Sequence, residues 1–272
     1  MRTPSLHEVL SFVGLFVLTG LAVQPSLWDT LLANERPIPG SVIVIGGETV
    51  FVRDPSIDKP LLPETVPMWY VMMVMGFTPL IMAITEAVLI LESSSEKSQH
   101  LVPIAAWLRA TALTEVLTAS SKTYMGVLRP NFYAGCGWDD AMRACTVSRH
   151  RNGEIEFRKS FPSGHSAHSA CVAVLLTLHL LRHAELWTQI GTLRSGLSVR
   201  ARVCQIFAFV APPIALFVAA SRVHDNWHHP ADVIAGLCLG TACAALVHRV
   251  QWPTPYVVVP RESSDPQAYR AL

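Results

Sequence analysis

The sequence predicts an all-α membrane protein, a bundle of six transmembrane helices with a small extramembrane hairpin insertion. Charged residues make up only 15 % of the 272 residues, whereas soluble proteins contain roughly 25 %. The mean hydropathy is +0.36. Six apolar segments come near the ~20 residues that a spanning helix needs, and they lie at 8–27, 66–91, 101–121, 165–182, 203–221 and 230–250. A soluble all-α protein with very apolar helices is the alternative interpretation.

The first segment also has features of a signal peptide, because Arg2 precedes an apolar stretch from Val9 to Val23. The residues that follow, Gln24-Pro25-Ser26, do not resemble the small-residue site at which signal peptides are cleaved. We therefore interpret this segment as a retained helix.

Polar residues interrupt the next two segments. Pro79 and Glu86 lie in the second, and Arg109 and Glu115 lie in the third. Ionisable groups at membrane depth are costly and usually face the interior of a bundle. We therefore expect an inward-facing polar seam between these helices.

We expect one membrane-embedded domain over residues 1–252 and a flexible C-terminal tail over 253–272. Residues 28–65 form a proline-rich extramembrane insertion, within which SVIVIGGETVFVRD predicts a β-hairpin turning at Gly46-Gly47. Residues 131–160 form a second extramembrane loop. Whether the insertion covers a functional site or only caps the bundle stays open at this stage.

Six spans place both termini on one side of the membrane. The loop at 183–202, with Arg194, Arg200 and Arg202, slightly favours the cytoplasm for that side. The loop at 131–160 would then face the exterior or the lumen of an organelle, where Cys136 and Cys145 could form a disulfide. The net charge of +1 gives no support to a nucleic-acid partner.

Three short stretches at the ends of apolar segments contain residues suited to phosphate chemistry. They are KTYMGVLRP at 122–130, FPSGHS at 161–166 and SRVHDNWHHPAD at 221–232. In the second stretch, Ser163 is placed to cap a helix whose free N-terminal amides attract an anion. Gly164 lets the backbone come close to that anion, and His165 lies in the first turn. An ordinary capped helix start is the alternative.

The third stretch combines a histidine with a carboxylate. Pro230 is suited to the first position of the sixth helix, so that His228 lies just before the helix and Asp232 just inside it. The Asp232 carboxylate can orient the His228 ring and leave the other nitrogen free to act as a nucleophile. Arg222 can offer a planar guanidinium to phosphate oxygens.

A metal site is the alternative for these histidines. His224, His228 and Asp232 are spaced four apart and would share one face of a continuous helix, where they could bind Zn²⁺. Pro230 argues against a continuous helix, because its ring clashes with the carbonyl four residues earlier. We expect no metal ion and no cofactor, and we interpret His168 and His229 as packing or hydrogen-bonding residues.

In the first stretch, Lys122 and Arg129 are seven residues apart, or about two helical turns. We expect both on one face at the end of the third segment, with Pro130 ending the helix. Cations at such an end can also serve only to anchor the helix at the membrane interface.

The three stretches together read Lys-x6-Arg-Pro, Pro-Ser-Gly-His and Ser-Arg-x5-His-x3-Asp. This pattern, from Lys122 to Asp232, resembles the signature of the type 2 phosphatidic acid phosphatase superfamily, the lipid phosphate phosphatases. The resemblance does not account for the insertion at 28–65. It implies that His228 attacks phosphorus, that Asp232 orients it, and that His165 acts as acid and then base. It also implies a metal-independent phosphate-binding set of Lys122, Arg129, Ser163, Gly164 and Arg222.

The expected function is that of an integral membrane phosphatase that hydrolyses a lipid phosphate monoester at the membrane surface, with phosphatidic acid to diacylglycerol as the leading reaction. Sphingoid, lysolipid and isoprenoid phosphates and lipid pyrophosphates remain open, as does a homo-oligomer. The endoplasmic reticulum, another endomembrane and the plasma membrane all fit, with the site facing the lumen or exterior. A non-catalytic protein that binds lipid phosphate and a transporter are the rival classes.

Overall fold

The computed structural model describes residues 36–93, 102–146, 154–193 and 199–252, together with a few isolated positions before residue 36. Strands β1 (Gly40–Ile45) and β2 (Glu48–Arg53) pair antiparallel. Gly46 and Gly47 connect them with φ values of 61° and 90°, a left-handed conformation that glycine adopts without strain. This hairpin lies within the insertion at 28–65.

Helices make up most of the described chain. In chain order the remaining elements are α1 (Met68–Ser93), α2 (Val102–Met125), α3 (Phe132–Cys136), β3 (Trp138–Asp139), β4 (Ala144–Cys145), α4 (Glu154–Phe157), α5 (Gly164–Leu193), α6 (Val199–Ala208), α7 (Ala211–His224) and α8 (Pro230–Gln251).

Four of the described helical segments are long and apolar enough to span a membrane: Met68–Val88, Gly164–Glu185, Val199–His224 and Pro230–Gln251. Helix α2, which corresponds to the predicted segment 101–121 and contains several charged residues, is not among them. Nearly all of the predicted segment 8–27 and the whole tail at 253–272 lie outside the described residues. The protein is a multi-pass membrane protein, and the count of six spans stays a prediction.

The predicted segment 203–221 differs from a single helix. It is divided between α6 and α7, with a turn at Phe209 and Val210. Pro212 and Pro213 lie in the first turn of α7, and neither can donate a backbone hydrogen bond to the preceding turn. The helical hydrogen-bond ladder of the apolar stretch is therefore interrupted at this point.

Helix α5 lies at the centre of the bundle and packs against α1, α2, α6, α7 and α8. Its contact with α8 is between backbones. A Cβ atom added to Gly240 would lie 2.0 Å from the Ala167 carbonyl oxygen, and one added to Gly236 would lie 2.5 Å from the Ser163 carbonyl oxygen. Small residues at such spacing let two helices approach closely within a membrane.

The charged groups inside the apolar segments face other helices. Glu115 of α2 lies 2.7 Å from Nε2 of His168 on α5, and Glu86 of α1 lies 3.0 Å from Nε2 of His183 on α5. Both pairs join neighbouring helices through the bundle interior. This arrangement fits the expected polar seam.

Residues 36–66 and 126–146 pack together into a structure that we call the cap. Arg53 of β2 makes two hydrogen bonds of 2.9 Å to the Asp140 carboxylate, and Phe51 contacts the ring of Trp138. Cys136 and Cys145 are joined by a disulfide within the cap. The insertion at 28–65 is thus bound to the segment at 131–160, which connects two of the stretches singled out in the sequence.

Candidate active site

The ends of four helices meet at the cap end of the bundle. These are the C-termini of α2 and α7 and the N-termini of α5 and α8. The Ser163 amide donates a 2.9 Å hydrogen bond to the Asp232 carbonyl, which joins the starts of α5 and α8. Lys122 Nζ would lie 3.3 Å from a Cβ atom added to Gly164. The three stretches singled out in the sequence therefore converge, and we call their residues the phosphate site: Lys122, Arg129, Ser163, Gly164, His165, Arg222, His228 and Asp232.

Ser163 is completely buried and begins helix α5. Its hydroxyl oxygen accepts hydrogen bonds from the Ser166 amide, at 3.5 Å, and from the Ser166 hydroxyl, at 3.0 Å. Glycine at the next position leaves room for the Lys122 side chain against the helix start. The cation therefore lies beside the positive end of the helix dipole, and the two together form a place for an anion.

His228 is buried and has no direct hydrogen bond to Asp232. Its Nδ1 atom is 3.8 Å from Asp232 Oδ2, and Ser160 lies between the two groups. The Ser160 hydroxyl donates to Asp232 Oδ2 at 2.6 Å, and its oxygen is 3.5 Å from His228 Nδ1. Since the hydroxyl proton is directed to Asp232, the oxygen faces Nδ1 as an acceptor. This arrangement favours the tautomer with its proton on Nδ1 and a lone pair on Nε2.

The Asp232 carboxylate is itself held by the start of α8. The His229 amide donates to Asp232 Oδ2 at 2.9 Å, and the two residues form a reciprocal cap of this helix. The His229 ring lies 3.1 Å from the Leu128 carbonyl oxygen, which fits the hydrogen-bonding role expected for it. These contacts fix the carboxylate with respect to Ser160.

The surroundings of His228 favour its neutral form. Burial lowers the pKa of His228 well below its usual value of 6.5, and the nearby cations Arg129, Lys122 and Arg222 lower it further. A histidine with a lowered pKa is unprotonated at neutral pH. The ring is therefore available as a nucleophile without first losing a proton.

The expected placement of Arg129 on the same helix as Lys122 is wrong. Helix α2 ends at Met125, and Gly126 follows with a φ of 56°, a left-handed conformation that ends helices. Arg129 lies in the irregular segment beyond, where its amide donates to the Phe157 carbonyl at 2.9 Å. Its guanidinium reaches the site from the cap, and the helix ends before Pro130.

Carboxylates from the extramembrane segments pair with both arginines of the phosphate site. Arg129 binds the Glu156 side chain and donates from Nε to the Glu156 carbonyl at 2.9 Å. Arg222 donates to Glu64 Oε1 at 3.0 Å and to the Val66 carbonyl at 3.2 Å. Both arginines are almost completely buried. An anionic ligand would therefore have to compete with Glu64 for Arg222 and with Glu156 for Arg129.

Trp227 is a shared platform for the two guanidinium groups. Arg129 lies 5.1 Å and Arg222 lies 5.5 Å from the centre of the indole rings. The indole nitrogen donates to the Leu62 carbonyl at 3.0 Å, which ties the platform to the cap. The stacking fixes two planar cations beside each other despite their mutual repulsion.

His165 lies within electrostatic reach of four other members of the phosphate site: Lys122, Arg129, Arg222 and His228. Its Nε2 atom is buried and has no hydrogen-bond partner among the described residues, and the same holds for Nε of Arg222. Buried polar atoms are normally paired. These two atoms are therefore available to a bound molecule.

His224 does not join the site. Helix α7 ends at this residue and α8 begins at Pro230, so that His224, His228 and Asp232 do not share one helix. The His224 side chain is 80 % exposed and bonds to Asp225 at 2.9 Å. His168 bonds to Glu115 within the bundle, as expected for a hydrogen-bonding residue.

Sequence reasoning missed Ser160, Trp227 and Glu64. Ser160 lies one residue before FPSGHS and Trp227 lies inside SRVHDNWHHPAD, so that proximity to a motif was the signal for both. Glu64 offered no signal, because it lies in a proline-rich loop 158 residues before its partner.

The arrangement combines an unprotonated histidine, a second histidine and three cations in one place. Such a set can bind a phosphate, attack its phosphorus atom and transfer a proton to the leaving oxygen. Because apolar helices carry these residues at one end of the bundle, the ester would be presented from the membrane.

Comparison with known proteins shows which family the chain is similar to, independently of the site geometry. The model of the PAP2 superfamily matches residues 103–255. Lipid phosphate phosphatase 1 of Arabidopsis thaliana is 34 % identical over 221 residues, which cover 79 % of this chain and 62 % of the relative. Phospholipid phosphatase 1 of Rattus norvegicus is 31 % identical over 219 residues, or 73 % of each chain. Lipid phosphate phosphatase 2 of Arabidopsis thaliana is 27 % identical, with 66 % of its length covered. The chain thus spans less than two thirds of the two plant relatives. No solved structure matches it.

Proposed function

This chain belongs to the PAP2 superfamily, and from that membership we propose that it is an integral membrane phosphatase acting on lipid phosphate monoesters. Phosphatidic acid to diacylglycerol is the leading reaction. The observation that carries the proposal is the contact chain from His228 through Ser160 to Asp232, next to three cations at the cap end of the bundle.

In the first step, Nε2 of His228 attacks the phosphorus atom. The new N–P bond forms as the ester P–O bond breaks, and the leaving alkoxide takes a proton from His165. His165 carries this proton when the ester is bound, because the negative charge of the phosphate offsets the three nearby cations. The lipid alcohol departs and the phosphoryl group stays on His228. Support comes from the lowered pKa of His228 and from the acceptor that Ser160 presents to its Nδ1.

In the second step, water replaces the histidine at phosphorus. His165, now neutral, takes a proton from the water, whose oxygen forms the new P–O bond as the N–P bond breaks. His165 therefore holds a proton again while the product is bound, and inorganic phosphate is then released. The role of His165 is supported by its proximity to His228 and by its unpartnered Nε2 atom.

Three cations stabilise the charge of the transition state. Lys122, Arg129 and Arg222 surround His228 closely enough to lower its pKa, so that a phosphate bound there neutralises them in turn. They supply the positive charge that Mg²⁺ provides in other phosphoryl-transfer sites. We therefore propose that the reaction needs no divalent metal at phosphorus.

The helices that carry the site point to a lipid substrate. Helices α5 and α8 begin at the phosphate site and are apolar enough to span the bilayer. A head group at their ends would leave its acyl chains beside apolar surface. We propose that the site faces the lumen of an endomembrane compartment or the exterior, an orientation that suits the Cys136–Cys145 disulfide.

A substrate panel tests the proposal. The full chain is purified in detergent without divalent ions and given phosphatidic acid, sphingoid and isoprenoid phosphates and a lipid pyrophosphate, with phosphate release as readout. His228→Ala should lower turnover by roughly 10³-fold or more while the melting temperature is kept. His224→Ala, which changes an exposed histidine of the same stretch, is the matched control and should behave like the wild type.

The result also separates the rival classes. Specific binding of lipid phosphate without turnover would indicate a non-catalytic binding protein, and lipid movement across vesicles without phosphate release would indicate a transporter. Substantial turnover by His228→Ala would remove the nucleophile assignment.

A further inference from the structure

A second cluster of ionisable side chains lies far from the phosphate site. Glu86 of α1 meets His179 and His183, which are four residues apart on one face of α5. One ligand atom from each residue lies within 4.8 Å of the other two. His179 is fourteen residues beyond His165 along the helix, or about 21 Å at the usual helical rise. The cluster therefore belongs to the opposite end of the bundle.

The cluster is buried and incompletely paired. The exposed fraction is 3 % for Glu86 and 0 % for both histidines. His183 Nε2 contacts Glu86 at 3.0 Å, and His179 Nε2 contacts the Thr85 hydroxyl at 2.8 Å. The Nδ1 atoms of both histidines have no hydrogen-bond partner among the described residues. Unpaired buried polar atoms of this kind call for a water or an ion, and ionisable groups at membrane depth are usually functional.

An ion pair accounts for part of this cluster. Arg182 Nη1 lies 3.5 Å from the same Glu86 oxygen that contacts His183, and its guanidinium lies over the ring of Trp252 at 5.1 Å. This pairing neutralises the carboxylate, but it does not explain two adjacent imidazoles whose ring centres are 4.4 Å apart. Two histidines four apart on a helix, with a carboxylate from a neighbouring helix, are a ligand set that suits Zn²⁺.

We propose that Glu86, His179 and His183 form a Zn²⁺ site that ties α1 to α5 at the end of the bundle opposite the phosphate site. Each residue supplies one ligand atom, and a water molecule completes a tetrahedral set. The ion takes no part in phosphoryl transfer. Its effect is structural, since it crosslinks two spanning helices through protein side chains.

Metal binding by the purified full chain tests this site. The protein is treated with a chelator, reconstituted with Zn²⁺ against a competing chromophoric chelator, and analysed for bound zinc and melting temperature. We expect one Zn²⁺ per chain and a higher melting temperature with the metal. Glu86→Gln and His183→Ala should each weaken Zn²⁺ binding by roughly 100-fold or more and remove the thermal shift.

His168→Ala provides the matched control. This histidine is also buried on α5 and also contacts a carboxylate, Glu115, at 2.7 Å, but it has no third ligand within the described residues. It should bind Zn²⁺ like the wild type. His228→Ala should do so as well, which separates this site from the phosphate site.

Two results would overturn the proposal. Wild-type protein that takes up no Zn²⁺ above the competing chelator would leave the cluster as an ion-pair network around Arg182. Zinc bound equally by wild type, Glu86→Gln and His183→Ala would place the ion elsewhere. If the variants do not survive purification, the number of Zn²⁺ ions bound per wild-type chain and the change in melting temperature with Zn²⁺ decide whether the chain binds zinc.

Discussion

Ser160 gives the sharpest test of the proposed chemistry, because its hydroxyl stands between the nucleophile and the carboxylate. It donates to Asp232 at 2.6 Å and lies 3.5 Å from His228 Nδ1, whereas His228 and Asp232 are 3.8 Å apart. Ser160→Ala removes only this oxygen. The carboxylate then loses a buried hydrogen bond, and the imidazole loses the acceptor that favours its reactive tautomer.

The magnitude follows from the charge on the acceptor. A hydrogen bond to a charged group contributes about 1.5–3 kcal/mol. If that contribution is made in the transition state, kcat falls by roughly 10- to 150-fold, since about 1.4 kcal/mol corresponds to a factor of ten. KM should change little, because Ser160 is not among the groups proposed to bind phosphate.

The assay is steady-state phosphate release from phosphatidic acid in mixed micelles. Ser120→Ala is the matched control, because that hydroxyl donates to the Val116 carbonyl of its own helix at 2.7 Å. It should keep wild-type kinetics. A Ser160→Ala enzyme within twofold of wild type, alongside an inactive Asp232→Ala enzyme, would show that Asp232 acts on His228 without the serine.

Three further outcomes are expected. Glu64→Gln should lower KM several-fold without lowering kcat. The reason is that the Glu64 carboxylate, 3.0 Å from Arg222 Nη2, competes with the substrate phosphate for this arginine. A higher KM would contradict this. EDTA should leave the initial rate of phosphate release unchanged. If EDTA lowers this rate and Zn²⁺ or Mg²⁺ restores it, also in the Glu86→Gln variant, a metal ion acts at phosphorus. Replacing Cys136 and Cys145 by serine should lower the free energy of unfolding by roughly 2–3 kcal/mol, as expected for a short crosslinked loop, measured as a lower melting temperature. If instead alkylation adds mass to both cysteines without prior reduction, the disulfide is absent.

Local patterns predicted much of this site. The proline at 230 correctly indicated the start of α8, which places Asp232 in its first turn and His228 before it. The prediction that Ser163 caps a helix is confirmed, since α5 begins at Gly164 and the Ser163 hydroxyl accepts from the Ser166 amide. These features depend on backbone rules that act over a few residues, so the sequence alone contains them.

Other features depend on contacts between distant parts of the chain. The pairing of Arg222 with Glu64 spans 158 residues, and no local pattern announces it. Arg129 shows a different kind of miss. The spacing between Lys122 and Arg129 suggests one helical face, with Pro130 ending the helix. Gly126 ends the helix before Arg129 instead, and this glycine is a helix-ending signal that the sequence does contain.

The glycine contact between α5 and α8 has a mechanical consequence. With Gly236 and Gly240 against the carbonyls of Ser163 and Ala167, the two helices cannot slide or rotate past each other without a backbone collision. We therefore expect His165, the proposed proton donor on α5, and His228, the proposed nucleophile before α8, to keep a nearly constant separation. When a thicker or thinner bilayer changes the tilt of this pair, we expect the distance between the two histidine rings to change little.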